Sequence, residues 1–329
     1  MESKPSFDGF IGNAHPVSVL RRATSPGSRT LRAAYLLHGT AGTGKKTLAA
    51  VTAAALVCQG QQRPCGECPS CKKAFGGFGH PDILRFRTPE GKTQFPVELI
   101  REIRRQAYIQ PNESDRKVIL IENAEMMNIA SANALLKVLE EPPHYLVFIL
   151  TCDNLSALPE TVPSRCICLE LHEVSPRRAE QWLLRQYPEE NAQLLENALL
   201  CGGGNLGKCV HYLEDEETRA LFESAMQLCR VLSDGREYDL LTVLAGLEGN
   251  RDKFAAFLSM MDRLACETAK AGFTTALREA VSLAARLSPG RAARVHLLND
   301  EMRRGLRANV SLSLLLAVYS SGLKTIMET

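Results

Sequence analysis

An apolar run that leads directly into a glycine-rich turn restricts the fold of this chain more than any other part of its sequence. The stretch is YLLHGTAGTGKKTL, residues 35–48. It contains the phosphate-loop pattern G-x-x-x-x-G-K from Gly39 to Lys45, with glycines also at Gly42 and Gly44. Such glycines let the backbone curl until its N–H groups and the next helix start point at an anion. We therefore expect a buried strand, a phosphate-binding loop and a helix, with Lys45 reaching the terminal phosphates.

One position of this loop departs from the pattern. The next residue should carry the hydroxyl that holds magnesium, but it is Lys46. A lysine ammonium has three donors and no acceptor, so it cannot ligate a metal ion. Thr47 is rotated by about 100° around the helix and is a poor substitute. Lys45 and Lys46 still suit a phosphate, so the sequence leaves ATP or ADP binding open while it argues against hydrolysis.

Five short apolar segments predict strands, and helical patterns separate them. Alternating strands and helices indicate an α/β fold whose parallel sheet is covered by helices on both faces. The predicted strands are Ala33–Leu37, Ile83–Arg87, Lys117–Ile121, Tyr145–Thr151 and Cys166–Leu171.

Beyond residue 171 the sequence predicts only helices. We therefore expect a first domain over residues 1–171, a small three-helix domain over 172–215 and a helical domain over 216–329. The last of these includes a predicted helix Thr274–Leu287 and an apolar final helix that begins after an Asn309 cap.

The composition restricts the class of protein. The 329 residues are 45% hydrophobic and 23% charged, which excludes a disordered or fibrous chain. A formal net charge of +2 is too small to indicate nucleic-acid binding, so any basic surface must be local. No apolar run approaches the ~18 residues of a membrane span, and the N-terminus has no apolar signal core. We expect a cytoplasmic protein with reduced thiols.

Four of the eleven cysteines are close together in the sequence. Cys58, Cys65, Cys68 and Cys71 form C-x6-C-x2-C-x2-C in a polar insertion between a helix and the next strand. Four thiolates at this spacing predict a structural zinc site with every coordination position filled by protein. A redox disulfide and buried unligated thiols are the alternatives, and His80 is a less favoured substitute ligand.

The segment KVILIEN, residues 117–123, has the form of the second strand of a phosphate site. Such a strand ends in two acidic residues, one for the magnesium shell and one that orients the attacking water. Here Glu122 keeps the first role, but Asn123 cannot act as a base because its amide does not titrate. Thr151, at the end of a later strand, lies where a polar residue senses the terminal phosphate.

The order of these motifs resembles a known family. The phosphate loop, the four-cysteine insertion, HPDI, SANALLKVLEEPP (131–143) and SRC (164–166) look like the bacterial DNA polymerase III clamp-loader ATPases of the AAA+ class. Within that family the chain is most similar to the delta-prime type, whose site is impaired, because Lys46, Asn123 and Gly207 each replace a catalytic feature. A working ATPase of the gamma/tau type is the main alternative, and a non-replicative AAA+ scaffold is the second.

The resemblance carries several expectations. It implies an AAA+ domain with the zinc insertion at 58–71, a lid and an oligomerising collar. It also implies a role in loading a sliding clamp onto primer-template DNA together with gamma/tau and delta subunits. Arg165 of SRC matches the arginine finger that enters a neighbouring subunit's ATP site. A surface arginine after the turn at Pro163 is the less favoured alternative.

A basic helix face is ambiguous. Arg101, Arg104 and Arg105 share one face and suit DNA phosphates, as does Lys137. Glutamates three residues before Arg101 and Arg105 equally suit ordinary surface ion pairs. The sequence leaves both interpretations open.

Overall fold

The computed structural model describes residues 5–77, 79–89, 92, 94–234, 237–270 and 288–328. The chain divides into two compact units, Met1–Val174 and Ser175–Thr329. The predicted helix over residues 274–287 lies outside the described residues. A separation of the second unit into a lid and a collar stays a prediction.

The first unit is built on a parallel sheet, as the sequence predicts. Within the described residues the sheet has five strands in the order β2-β3-β4-β1-β5, and every neighbouring pair is parallel. Each strand lies within two residues of its predicted bounds. The strands are β1 (Ala34–His38), β2 (Ile83–Phe86), β3 (Lys117–Ile121), β4 (Leu146–Cys152) and β5 (Ile167–Glu170).

Helices cover both faces of this sheet because successive strand side chains point to opposite sides. Leu37 of β1 packs in the core on the side of α1 and α2, whereas Leu36 packs on the side of α4 and α5. The helices of the first unit are α1 (Ala14–Thr24), α2 (Lys45–Val57), α3 (Pro69–Phe75), α4 (Val97–Ala107) and α5 (Ile129–Glu140).

Asp82 fixes the entry to β2. Its side chain is fully buried and accepts hydrogen bonds from the backbone N–H groups of Asn112, Glu113 and Ser114 and from the Ser114 hydroxyl. Burial alone would raise the pKa of Asp82, but these donors outweigh it and hold the pKa below its ordinary value. The carboxylate therefore ties the start of β2 to the turn that precedes β3.

The described part of the second unit is helical. Its last helix is rich in apolar residues, yet none of the described helices combines the length and apolarity needed to cross a membrane. The helices are α6 (Pro176–Gln186), α7 (Ala192–Gly202), α8 (Leu206–Glu214), α9 (Glu216–Asp234), α10 (Glu237–Ala245), α11 (Arg251–Lys270), α12 (Pro289–Arg307) and α13 (Leu312–Glu328).

The predicted cap of the last helix is wrong. Asn309 has a left-handed φ of 59°, and its N–H donates to the carbonyl of Leu306, so it terminates α12. The final helix begins three residues later, at Leu312. Asparagine suits both the start and the end of a helix, and the sequence pattern did not distinguish the two.

Candidate functional site

The phosphate loop connects β1 to α2 at the carboxyl edge of the sheet. Gly39, Gly42 and Gly44 have positive φ values of 138°, 84° and 89°. A Cβ on Gly39 would lie 2.1 Å from the carbonyl oxygen of Leu171, and one on Gly44 would lie 2.9 Å from the Phe10 ring. The loop therefore requires glycine at both positions for space as well as for backbone conformation.

Lys45 is the first residue of α2, and its side chain is only 5% exposed. Its ammonium donates to the carbonyl oxygens of Gly39 and Thr40, each at 2.7 Å. The third contact is an ion pair with the Asp153 carboxylate at 2.8 Å. Asp153 directly follows β4, and the ends of parallel neighbouring strands bring it to the loop. The lysine that would meet a terminal phosphate is thus paired with a carboxylate of its own chain.

Lys46 also has a partner. Its ammonium lies 3.1 Å from a carboxylate oxygen of Glu122, the residue that follows β3. The Lys46 side chain is 59% exposed and that of Glu122 is 17% exposed. Thr47 is exposed and has no described contact with Glu122. These residues do not fit magnesium, because the expected hydroxyl is missing and an ammonium occupies the carboxylate that would serve the metal.

Asn123 and Thr151 meet beside this pair. The backbone N–H of Asn123 donates to the Thr151 hydroxyl at 3.2 Å, and its side-chain amide donates to Glu125 at 3.3 Å. Asn123 has a left-handed φ of 55°, which asparagine tolerates better than most residues. Thr151 is buried. The structure therefore brings both positions to the carboxyl edge, at the ends of the two strands that lie on one side of β1.

Arg165 lies in a short 3-10 turn, Pro163–Arg165, just before β5. Its guanidinium forms a pair with Glu140, the last residue of α5, and also donates to the Thr161 carbonyl oxygen at 2.9 Å and to the Ser164 hydroxyl at 3.2 Å. The side chain is 32% exposed. The guanidinium is therefore held in one direction while part of it still faces solvent.

The four sulfurs of the insertion converge on one point. A tetrahedral zinc ion with Zn–S bonds of about 2.3 Å holds its sulfurs about 3.8 Å apart. Here the Cys65 and Cys71 sulfurs are 3.9 Å apart, those of Cys58 and Cys68 are 4.0 Å apart, and all four lie within 4.8 Å of one another. All four are free thiols. The donor set and its spacing fit zinc.

Backbone groups around the sulfurs favour thiolates. N–H groups of Gly60 and Cys65 point at the Cys58 sulfur, and that of Cys68 points at the Cys65 sulfur. Burial opposes ionisation of Cys65, but N–H donors and neighbouring thiols outweigh it and lower its pKa to about 6. Burial raises the pKa of Cys58 and Cys71. A bound cation would offset the cost of ionising these buried thiols and stabilise their thiolates.

His80 is not part of this cluster. Its Nδ1 accepts a hydrogen bond from the backbone N–H of Asp82 at 3.1 Å, and its Nε2 is buried without a hydrogen-bond partner among the described residues. Burial lowers the pKa of His80, so the ring is neutral at physiological pH. Its contacts are those of a structural residue at the start of β2.

The basic helix face lies on α4 and is exposed. On α4, Ile100, Ile103 and Ala107 are buried, while Arg101, Arg104 and Arg105 are exposed. Arg105 pairs with Glu102 at 2.7 Å. Lys137, on α5, is exposed as well.

A second cluster of possible ligands lies in the second unit. Oxygen and nitrogen atoms of Asp262, His296 and Asp300 lie within 4.8 Å of one another. Arg303 forms ion pairs with both aspartates, and the Asn299 amide donates to Asp262 at 2.6 Å. These carboxylates are already neutralised, so the cluster is an ion-pair network between α11 and α12.

Sequence reasoning did not identify Asp153 or Glu140. Asp153 is one residue beyond the end of β4, and a carboxylate at that position is a usable signal once the strand order is known. Glu140 is one of two glutamates in LEEPP, and the sequence does not indicate which of them meets Arg165.

A parallel sheet in this strand order, with a phosphate loop between β1 and α2, defines a P-loop protein of the AAA+ type. Residues 13–175 match the family model described as "DNA polymerase III, delta subunit". DNA polymerase III subunit delta' of Pseudomonas aeruginosa is 38% identical over 177 residues, which cover 52% of this chain and 53% of the relative. The delta' subunit of Yersinia pestis is 34% identical over 251 residues, covering 72% of this chain and 70% of the relative.

Gamma subunits are also similar. DNA polymerase III subunit gamma of Buchnera aphidicola from Acyrthosiphon pisum is 35% identical over 179 residues, covering 54% of this chain and 48% of that protein. The chain thus spans about half the length of two of these three relatives. It belongs to the delta-prime family of DNA polymerase III clamp-loader subunits, which is related to gamma/tau.

Proposed function

We propose that this chain acts as the delta-prime subunit of a DNA polymerase III clamp loader. In this role it assembles with gamma/tau and delta subunits and helps to load the sliding clamp onto primer-template DNA during replication. The family membership, the order of the motifs and the AAA+ architecture support the proposal. The chain's own phosphate site does not turn over ATP.

The ion pair between Lys46 and Glu122 is the main support for a phosphate site that does not hydrolyse ATP. Phosphoryl transfer depends on a magnesium ion that neutralises developing charge and on a residue that orients the attacking water. An ammonium 3.1 Å from Glu122 takes up the carboxylate intended for that metal. Asn123 offers an amide where the water-orienting carboxylate belongs. The two changes remove both requirements from the same edge of the sheet.

Arg165 contributes to catalysis on a neighbouring gamma/tau subunit. A guanidinium is planar and permanently charged, and it matches phosphate oxygens in a bidentate way. Its pairing with Glu140 keeps the side chain extended along the surface while the chain is free. In the assembly the phosphoryl group competes for the same donors and develops more negative charge than a carboxylate as the reaction proceeds.

The cysteine cluster holds a structural zinc ion. Four protein sulfurs leave no open coordination position for water or substrate, so the ion would stabilise the insertion rather than react. Arg101, Arg104, Arg105 and Lys137 are candidates for contact with DNA phosphates. Their contribution would weaken with added salt in the way that phosphate contacts do.

The test compares the chain alone with the assembled loader. We expect purified chain with ATP, magnesium and primed DNA to show no hydrolysis above background. In a loader reconstituted with gamma/tau and delta, Arg165→Ala should leave assembly intact but lower ATP turnover, whereas Arg29→Ala, which removes an exposed arginine elsewhere, should change neither.

The retained loop glycines and Lys45 favour one alternative, an active ATPase of the gamma/tau type. Hydrolysis by the chain alone that disappears in Lys45→Ala would establish that alternative and reject an inactive site. Failure to assemble with gamma/tau and delta would reject the clamp-loader role itself.

A further inference from the structure

We infer that the altered loop is a magnesium-independent site for a polyphosphate anion, in which Lys46 replaces the metal ion and Asp153 competes with the ligand. The inference rests on the proposed function, because it concerns the same non-hydrolysing site. It predicts that the affinity for the anion does not depend on magnesium, in contrast to an active P-loop protein.

The first step concerns the missing metal. In an active site magnesium links a carboxylate to the phosphate oxygens and neutralises charge between them. Here the Lys46 ammonium already contacts Glu122 at 3.1 Å and remains 59% exposed on its other side. One of its three donors serves Glu122, and two are left for phosphate oxygens. This cation is covalently attached, so a chelator cannot remove it.

The second step concerns the occupied anion position. The three donors of the Lys45 ammonium are used by two loop carbonyl oxygens and by Asp153. A phosphate oxygen that approaches Lys45 must therefore displace one of these acceptors. The carbonyl oxygens belong to the loop backbone and are fixed by its fold. Asp153 is 37% exposed and can rotate away into water, so it is the acceptor that a phosphate replaces.

The two steps together define the ligand class. The loop offers two ammonium groups and the N–H groups at the start of α2, all of which recognise phosphate oxygens. A nucleoside diphosphate and inorganic pyrophosphate share this chemistry. Comparison of ADP with pyrophosphate separates the contribution of the nucleoside from that of the phosphates.

Calorimetric titration of the full chain tests the inference. ADP and pyrophosphate are each titrated with excess magnesium and with excess EDTA, into the natural chain, Lys46→Thr and Asp153→Asn. Lys92→Thr and Asp115→Asn repeat the two substitutions at exposed positions of the first unit outside the loop. Thermal unfolding of every variant establishes that it is folded.

We expect ADP to bind the natural chain equally well with magnesium and with EDTA. Asp153→Asn should raise the affinity about fivefold, which is the scale of a partly exposed ion pair. Lys46→Thr should weaken binding in EDTA and recover it with magnesium, because a hydroxyl then follows Lys45. The two control variants should match the natural chain.

Two results would overturn the inference. Binding by the natural chain that requires magnesium would show that Lys46 does not replace the metal. No binding of ADP or pyrophosphate by either the natural chain or Asp153→Asn would show that the loop is not an anion site. Both results leave the proposed loader role standing, since that role is measured by assembly and by the effect of Arg165.

Discussion

Removal of the charge on Glu140 distinguishes two roles of Arg165: holding the end of α5, and acting on the phosphate of a neighbouring subunit. Glu140 is the last residue of α5, where a negative charge is unfavourable next to the helix carbonyl groups. Arg165 offsets that charge in the free chain. If the guanidinium also serves a neighbour's phosphate, Glu140 competes with that phosphate. Glu140→Gln keeps the shape of the side chain and removes the competition.

The size of the effect follows from exposure. The Arg165 and Glu140 side chains are 32% and 48% exposed, so water weakens their attraction. A pair of this kind contributes about 0.5–1 kcal/mol, after allowance for solvent screening. We expect Glu140→Gln to lower the free energy of unfolding by no more than that. Release of the guanidinium should raise hydrolysis at the neighbouring site by at most about fivefold, because 1.4 kcal/mol corresponds to a factor of ten.

The assay is ATP turnover by the reconstituted loader, measured beside chemical denaturation of the free chain. Arg165→Ala should lower hydrolysis at the neighbouring site by about a thousandfold or more, the range known for arginine fingers. Glu141→Gln, one residue further along, is the matched control and should have little effect. Turnover that falls as far in Glu140→Gln as in Arg165→Ala would refute the reasoning, since the arginine would then act by holding the end of α5.

Four further predictions concern the scaffold around the site. Freshly purified natural chain should contain one equivalent of zinc by metal analysis and Cys68→Ser much less; an equal content in both would remove Cys68 from the ligand set. Asp82→Ala leaves three backbone N–H groups without their acceptor, at a cost of about 1–3 kcal/mol each. The free energy of unfolding should therefore fall by more than about 3 kcal/mol. Because the pKa of Asp82 is lower in the folded chain, the ionised carboxylate stabilises the fold above the ordinary carboxyl range, and this stabilisation is lost as pH falls through the folded pKa. Asp82→Asn should therefore flatten the acidic part of the curve of unfolding free energy against pH. A curve identical to that of the natural chain would contradict this role of Asp82. Gly44→Ala adds a steric overlap with the Phe10 ring to an unfavourable φ and should lower the free energy of unfolding by about 1–3 kcal/mol. Gly27→Ala should lower it by about 1 kcal/mol, because φ is also positive there but no atom of the described residues lies within 4 Å. Equal losses would show that the ring contact is unimportant.

The features that the sequence predicted depend on short-range patterns. The strands follow from apolar runs, and their parallel order follows from the helices between them. The cysteines converge because they lie within one short insertion. Lys46 was identifiable because the phosphate-loop motif specifies each position.

The features that it missed depend on distant contacts. Lys45 meets Asp153, and Arg165 meets Glu140, only after the sheet has brought separate strand ends and helix ends together. No local pattern indicates such partners. Asn309 shows a second kind of limit, because the same residue type favours both ends of a helix and the choice between them depends on packing.

The absence of a side chain at Gly39 has a mechanical consequence. The loop rests directly on the carbonyl of Leu171, and Asn13 holds the next residue, His172, through two hydrogen bonds of 3.0 and 2.8 Å. Leu171 therefore contacts the loop backbone, and the Asn13 side-chain amide holds His172. A displacement of Gly39 toward Leu171 would meet that backbone directly, because no side chain lies between them. Any larger residue at position 39 would force the loop and the Leu171 backbone apart.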